Sequence, residues 1–435
     1  MDDATPATRR RGRLIDDAAI YIAAAMVNAA IPFLLVPFLT RWLGPADFGV
    51  VGLFVALVNV LSVVVGLGTH GLVSVVFYRT GPEALPPQVG ASVGIAAIMG
   101  ATALLMLWLA RAWIADASGI PTGLLWTVVV ASVGQFLFAL CLTVFQTRRQ
   151  PYRYAAMQIG FASALAASTL FLVGYAGLGW SGRVFSQTLT ATTVAVVGLG
   201  WLTITAGITW SFRRWPVRDA LAFGLPLLPH AFGAVAMAST DRLALGSVTD
   251  STSVGYYFLG VQISTVLTVF ATAINQAWLP WLYERLGRKD QDAAVQVVRA
   301  CYGVFAVLLG GGGALAVSSP WLVPLVAGLG YEPAIPLLAI LGPAFAFSGM
   351  YLFVSGFLFY ERRTGLLSVV TILVALVQGA LSFALAHLAG AVGVAWATFA
   401  THLIYWLAIW AVAQRLYPMP WLKALRSRRS QIPAS

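Results

Sequence analysis

Charged and hydrogen-bonding side chains lie inside long apolar stretches of this sequence, or at their ends. His230 lies near the middle of one such stretch, which ends in Asp241 and Arg242. An ionised side chain at the centre of a bilayer costs about 2.5–3.5 kcal/mol on insertion scales, so such groups face water, a charged ligand or one another. A cation there can bind an anion, and a histidine or carboxylate can carry a proton. The chemistry indicated is therefore the binding and movement of a charged solute.

The candidate residues are the basic groups, amides and proton carriers of these stretches. They are Arg41, Arg242, His230, Asp241, Arg79, Arg285, Arg299, Asn28, Asn59, Gln262 and Asn275. Each has a purely structural alternative. Arginines near helix ends also snorkel to headgroups, Asp241 also forms a structural pair with Arg242, and a lone histidine is often a satisfied core residue. Amides either bridge helices or line a cavity, and the same holds for Gln135, Gln187 and Gln378.

No constellation for catalysis or metal binding accompanies these residues. Gly310–Gly313 lies inside an apolar span without a preceding strand, so we expect close helix packing or a hinge there and not a phosphate loop. Cys141 and Cys301 lie in apolar spans and are expected to pack as small hydrophobes. The sequence predicts no cofactor. A coupling ion is a hypothesis, with H+ motivated by His230 and Asp241, and Na+ as the other candidate.

The composition predicts an all-α polytopic membrane protein. The chain has 435 residues, 60% hydrophobic and 9% charged, with a mean hydropathy of +0.85. Soluble domains carry about 25% charged residues. The net charge of +11 would suggest nucleic acid as a partner of a soluble protein. Here it matches the excess of Lys and Arg that cytoplasmic loops carry, so no nucleic acid is predicted.

Twelve membrane-spanning helices are predicted, joined by short connections. They cover residues 16–40, 47–72, 89–112, 123–147, 154–177, 184–207, 219–246, 253–282, 293–318, 334–359, 365–387 and 391–414. With the N-terminus inside, every basic residue falls on the inner side except Arg41, Arg111, Arg183 and Arg242. This asymmetry predicts an N-in, C-in topology.

Weak internal matches predict two six-helix lobes. Gly49 and Arg79 are separated by the same interval as Gly255 and Arg285, and residues 40–41 and 241–242 hold matching places in spans 1 and 7. Because six is even, the lobes are related by a pseudo-two-fold axis along the membrane normal. The predicted domains are a basic N-terminus (1–15), an N-lobe (16–212), a C-lobe (213–414) and a basic tail (415–435).

Two proline pairs occupy matching places in the two lobes. Pro32 and Pro37 lie in span 1, and Pro226 and Pro229 lie in span 7. Interrupted helices in corresponding positions are the best sequence indication of a transport site. The alternative is that membrane helices tolerate proline.

Longer motifs extend over nearly the whole chain and carry a family resemblance. They are PFLTRWLGPADFG (37–49), GLG (66–68), GLP (224–226), DR (241–242), GY (255–256), WLP (278–280), GFLFYERRT (356–364) and GAVGVAWAT (390–398). With them the chain resembles the polysaccharide-repeat-unit flippases. These are the O-antigen and exopolysaccharide transporters of the multidrug/oligosaccharidyl-lipid/polysaccharide exporter superfamily.

The resemblance implies a cationic cavity between two lobes, lined by spans 1, 2, 7 and 8, and alternating access. The implied substrate is an oligosaccharide on undecaprenyl pyrophosphate, flipped across the bacterial inner membrane. Implied partners are membrane lipids and a polysaccharide polymerase or chain-length regulator. Only Arg41, Asp241 and Arg242 match the family pattern closely enough to be carried over. Related lipid II flippases have two further helices, which argues against lipid II as substrate.

Two other classes compete with this interpretation. The first is an ion-coupled multidrug or solute exporter of the same superfamily; a major-facilitator transporter does not fit, because the inner loop at residues 80–88 lacks its basic motif. The second is a polysaccharide polymerase or membrane glycosyltransferase. Such an enzyme is expected to carry a sizeable outer loop with catalytic residues, and the predicted outer connections here are short. We therefore predict that the chain is not an enzyme.

Overall fold

The computed structural model describes residues 6–209, 214–288, 290–361 and 363–426, and helices dominate this part of the chain. Two compact units divide between Gly255 and Tyr256. The predicted lobe boundary near residue 212 stays a prediction. We describe each unit by itself.

Fourteen α-helices are defined in the described ranges. They are α1 (Pro6–Trp42), α2 (Pro45–Gly66), α3 (Thr69–Thr80), α4 (Leu85–Leu109), α5 (Arg111–Ser118), α6 (Trp126–Thr147), α7 (Pro151–Thr169), α8 (Gly179–Ala206), α9 (Arg214–Val248), α10 (Ser251–Arg288), α11 (Gln291–Ala327), α12 (Ala334–Tyr360), α13 (Thr364–Leu416) and α14 (Trp421–Arg426). A π-helical segment, Leu170–Tyr175, extends α7.

Helix starts follow local chemistry. Pro45 and Pro151 each begin a helix, where a missing N–H is harmless. Asp290 caps α11, because its carboxylate accepts a hydrogen bond from the Ala293 N–H at 2.6 Å. Asp250 does the same for α10 through Ser253 at 3.0 Å.

Each predicted span falls on a helix, but the number twelve stays a prediction. Ten helices among the described residues are long and apolar enough to cross a membrane. Helix α13 contains both of the last two predicted spans. Its backbone leaves the helical conformation at Ala389 and at Gly390, where φ is +55°, a value that suits glycine. Helix α9 is not among the ten, although its 35 residues cover the seventh predicted span.

A further break between helices lies in unit 1, but the proline pairs do not produce one. The glycine-rich stretch at residues 66–68 does end a helix: α2 stops at Gly66, Leu67 and Gly68 are left-handed, and α3 begins at Thr69. The proline pairs, by contrast, do not end their helices. Both α1 and α9 continue through them. A membrane helix tolerates the lost N–H donor when neighbouring groups satisfy the freed carbonyl.

Unit 1 packs its helices through a shared apolar core. Six helices contribute, α2, α3, α4, α6, α7 and α8, with side chains that include Val65, Val73, Val89, Phe136, Leu140, Met157 and Leu202. Helix α9 joins this unit by packing against α2, α3 and α4. In a membrane such contacts stabilise by van der Waals packing, because lipid is as apolar as the side chains.

The first residues of α2 and α10 approach closely at two glycines. A Cβ atom on Gly49 would lie 1.7 Å from the Ser251 carbonyl oxygen, and one on Gly255 would lie 1.9 Å from the Pro45 carbonyl oxygen. Both approaches require glycine. The internal repeat matches these two glycines to each other. Each glycine therefore lies against the helix that carries the other.

Unit 2 centres on α12, which packs between α11 and α13. The glycine stretch of α11 permits part of this packing, as predicted. A Cβ on Gly312 would lie 2.9 Å from the Gly342 carbonyl oxygen of α12, and the reverse distance is also 2.9 Å. Small residues let membrane helices approach this closely.

Candidate functional site

The outer end of α9, by the predicted topology, carries a buried ion pair. The Nε of Arg242 lies 3.4 Å from Oδ1 of Asp241, and the two side chains are 5% and 6% exposed. The Arg242 backbone N–H also donates to that oxygen, at 2.7 Å. The guanidinium additionally donates to the Ala238 carbonyl one turn earlier. The charge of each residue is thus compensated within two turns of one helix.

The matching end of α1 is built differently. Arg41 is exposed, and its Nη1 donates to the Pro37 carbonyl at 3.3 Å. The residue before it, Thr40, is buried and donates to the Val36 carbonyl at 2.9 Å. Both arginines therefore bond to the carbonyl four residues earlier, but the residue before Arg242 is an aspartate and the residue before Arg41 is a threonine.

The amide candidates divide between bridging and unresolved roles. Gln135 Nε2 donates to Asn59 Oδ1 at 3.4 Å, which joins α6 to α2. Asn275 Oδ1 is buried and has no hydrogen-bond partner in the described ranges. Asn28 and Gln262 are half-buried.

Gln378 bridges chain segments through a buried polar cluster of unit 2. Its Nε2 donates to Thr398 at 3.3 Å and to Ser382 at 3.2 Å, and Thr401 donates to its Oε1. The Tyr257 hydroxyl lies 2.8 Å from the Thr398 hydroxyl. This cluster ties α10 to the two segments of α13 on either side of the Ala389–Gly390 break.

The candidate arginines at the predicted inner ends of the helices differ in their surroundings. Arg79 is exposed in the last turn of α3, and Arg299 is exposed on α11. Arg285 is half-buried, donates to the Gln296 side chain and lies 5.4 Å from the centre of the Trp281 ring. Gln296 is neutral and Trp281 is aromatic. Among the described residues, the Arg285 charge therefore has no acidic contact.

His230 belongs to α9, but its side chain lies outside the described residues, as do those of Pro226 and Pro229. The predicted proton-relay role of His230 therefore stays a prediction.

Arg183 is a half-buried cation that sequence reasoning did not select. It lies in the first turns of α8, and its Nε and Nη1 are covered yet have no hydrogen-bond partner within the part of the chain that is described. Asp47 lies nearby, since a Cβ on Gly179 would be 3.4 Å from its carboxylate, but Asp47 makes no ion pair with Arg183 among the described contacts. In the sequence, Arg183 stands out as one of the four basic residues on the predicted outer side.

The fold matches that of solved transporters. An inward-facing multidrug resistance MATE family transporter of the MOP superfamily superposes with a TM-score of 0.73 at 14% identity, covering 94% of this chain and all of that chain. The lipid II flippase MurJ, in an inward closed conformation, superposes with a TM-score of 0.70 at 13% identity, covering 95% of this chain and 91% of that one. The chain is therefore a multi-pass helical membrane protein with the fold of this superfamily.

The sequence comparisons define the family. A profile of the family described as polysaccharide biosynthesis protein matches residues 14–285, more than half of the chain. A Haemophilus influenzae protein named for the Lsg locus is 24% identical over 315 residues, which are 68% of this chain and 72% of that protein. A membrane protein of the same organism is 25% identical over 281 residues, 63% of this chain and 66% of its own. The chain belongs to the polysaccharide biosynthesis protein family, and this confirms the resemblance found in the motifs.

Proposed function

We propose that this protein flips oligosaccharide repeat units, linked to undecaprenyl pyrophosphate, from the cytoplasmic to the periplasmic leaflet by alternating access. The product would feed the synthesis of a surface polysaccharide. The observation that carries the proposal is the family match over residues 14–285, which includes every candidate residue except Arg299.

The electrostatics of the candidate residues support this assignment. A pyrophosphate entering a low-dielectric cavity loses hydration, and fixed positive groups offset that loss. In the predicted topology, Arg41 and Arg242 lie at the outer ends of α1 and α9, and Arg79 and Arg285 lie at the inner ends of α3 and α10. We propose that these residues define the path of the anionic group, and that the amides contact the sugar.

Gene deletion with complementation tests the function. In a deletion strain of the native host, we expect lipid-linked oligosaccharide to accumulate on the cytoplasmic leaflet and surface polysaccharide to disappear. Wild type should restore both, whereas Arg41→Ala and Arg242→Ala should not at equal expression. Arg111→Ala is the matched control, since Arg111 is an exposed outer arginine that lies over Trp108, 4.6 Å from the ring centre.

Two outcomes would redirect the proposal. Normal surface polysaccharide in the deletion strain would contradict it and favour export of a drug or other solute, the activity named for the MATE relative by fold. Rescue by both arginine variants would keep the flippase and remove these arginines from the path.

Coupling is proposed to use an H+ or Na+ gradient in the inner membrane. Proteoliposomes with either gradient imposed separately test this. A flipping rate that ignores both gradients would contradict ion coupling. We propose a polysaccharide polymerase or chain-length regulator as a partner, which in vivo cross-linking tests.

A further inference from the structure

An apolar groove lies between α4 and α9 of unit 1. It encloses about 650 Å³ and is lined by Ala91, Gly94, Ile95, Ile98, Val217, Arg218, Leu221, Ala222 and Leu225. All of these residues except Arg218 are apolar. The groove therefore suits a hydrocarbon chain along most of its length.

The groove has a buried floor and exposed rims. Ala91, Gly94 and Ile95 are buried, whereas Ile98 and Leu225 are 60% and 52% exposed. Three small residues, Ala91, Gly94 and Ala222, leave width between the helices that larger side chains would fill. A methyl-branched chain needs this extra width more than a straight acyl chain does.

The groove also has a direction. Helices α4 and α9 both begin on the cytoplasmic side in the predicted topology, and the lining residues come from the first half of each helix. At 1.5 Å per residue, the stretch from Arg218 to Leu225 reaches about 10 Å towards the membrane centre. The cytoplasmic half of the hydrocarbon layer is about 15 Å deep. The groove thus follows the cytoplasmic leaflet, with Arg218 at its cytoplasmic end.

Arg218 supplies a charge where a lipid headgroup would lie. It is exposed and makes no hydrogen bond or ion pair with the residues that the structure describes. An exposed guanidinium at headgroup depth is free to bind a phosphate with two parallel N–H donors. An apolar groove whose described lining has one cation, at the headgroup end, complements an anionic lipid with a long tail.

We propose that this groove holds the polyisoprenoid tail of a phosphate-bearing carrier lipid in the cytoplasmic leaflet, with the phosphate at Arg218. The inference rests on the proposed flippase function and identifies where the carrier loads before its sugar enters the protein. It adds Arg218 and the groove floor to the candidate site, and neither was selected from the sequence.

Lipid binding measured by native mass spectrometry tests this, with undecaprenyl phosphate as the probe and the full-length protein in detergent. Ala222→Trp fills the groove from an exposed position, and we expect it to weaken binding about tenfold, equivalent to 1.4 kcal/mol. Arg218→Gln removes an exposed charge contact and should weaken binding about threefold. Ala306→Trp on α11 is the matched control, since Ala306 is an equally exposed alanine elsewhere, and it should bind like wild type.

Competition identifies the source of the ligand. Excess phosphatidylglycerol, an anionic lipid with straight chains, should fail to displace the probe at equal concentration. Displacement would make the groove a site for ordinary membrane lipid and overturn the proposal. Wild-type affinity in Ala222→Trp, with an unchanged melting temperature, would also overturn it, and wild-type affinity in Arg218→Gln would overturn the headgroup assignment.

A flipping assay separates this inference from the function on which it rests. In liposomes with lipid-linked oligosaccharide, wild type should flip and Ala222→Trp should be slower, with Ala306→Trp as control. If wild type and Ala222→Trp flip equally fast, the groove proposal fails and the flippase stands. If wild type binds undecaprenyl phosphate in the groove but never flips the oligosaccharide lipid, the proposed function fails.

Discussion

The ends of α1 and α9 carry matched arginines in opposite environments. Arg41 is exposed and follows Thr40, whereas Arg242 is buried and follows Asp241. Both guanidinium groups bond to a carbonyl four residues back on their own helix. The difference is one position: the α9 end has a carboxylate where the α1 end has a hydroxyl.

The comparison teaches that burial of a cation follows its counter-charge. Moving an unpaired ion out of water costs several kcal/mol, and a neighbouring carboxylate offsets much of this. Among the described residues, the half-buried Arg183 makes no ion pair. Two of its nitrogens are covered without a hydrogen-bond partner, and it lies near the N-terminus of α8, where the helix dipole disfavours a cation. A residue that lowers stability in this way is a good candidate for a functional role.

Neutralising Asp241 tests whether its carboxylate causes the difference between the ends of α1 and α9. We expect Asp241→Asn to destabilise the protein by about 3–5 kcal/mol, because it removes the carboxylate that pairs with the buried Arg242 guanidinium. Unfolding in a titration of denaturing detergent measures this. Thr40→Val is the matched control, and it should cost about 1 kcal/mol for the hydrogen bond from the Thr40 hydroxyl to the Val36 carbonyl. Equal effects of the two variants would contradict the counter-charge argument.

Removing the Arg183 charge should raise the stability of the protein, whereas removing the Asp241 charge should lower it. Arg183→Met replaces a half-buried cation, two of whose nitrogens have no described partner, by an apolar side chain of similar length, and we expect a gain of about 1 kcal/mol in stability. Arg111→Met, at an exposed position, should change little. A loss of stability in Arg183→Met would mean that Arg183 has a structural partner, and Asp47→Asn would then identify Asp47 as that partner if it lowered stability equally.

Gly49 and Gly255, which the internal repeat matches to each other, test a pair of positions whose surroundings are alike. Gly49→Ala and Gly255→Ala each insert a Cβ against a backbone carbonyl, so both should destabilise by about 1–3 kcal/mol. Gly44→Ala is the control, because a Cβ there would have no atom within 4 Å. A destabilised Gly49→Ala beside an unaffected Gly255→Ala would show that the close approach is not shared.

Sequence reasoning predicted the helices better than it predicted the site. Apolar length located the long helices but not the short α3, α5 and α14, and the break at Gly390 was visible because a glycine separates two apolar runs. Whether Arg41 or Arg242 is buried could not be read from residue type, because burial depends on what packs around each helix end. The α4–α9 groove was missed for the same reason: small residues such as Gly94 and Ala222 indicate a groove only once their helices are paired.

Arg41 supplies the smallest stability effect and the sharpest functional test. Because the side chain is exposed and its hydrogen bond to the Pro37 carbonyl lies within its own helix, Arg41→Ala should change the free energy of unfolding by less than about 1 kcal/mol. If Arg41 lies on the anion path, surface polysaccharide should nevertheless fall in the deletion strain that carries this variant. Arg41→Lys keeps the charge and should restore part of the activity. A variant that is stable but inactive, with rescue by lysine, separates binding of the anion from anchoring at the headgroups, because anchoring alone would leave polysaccharide unchanged.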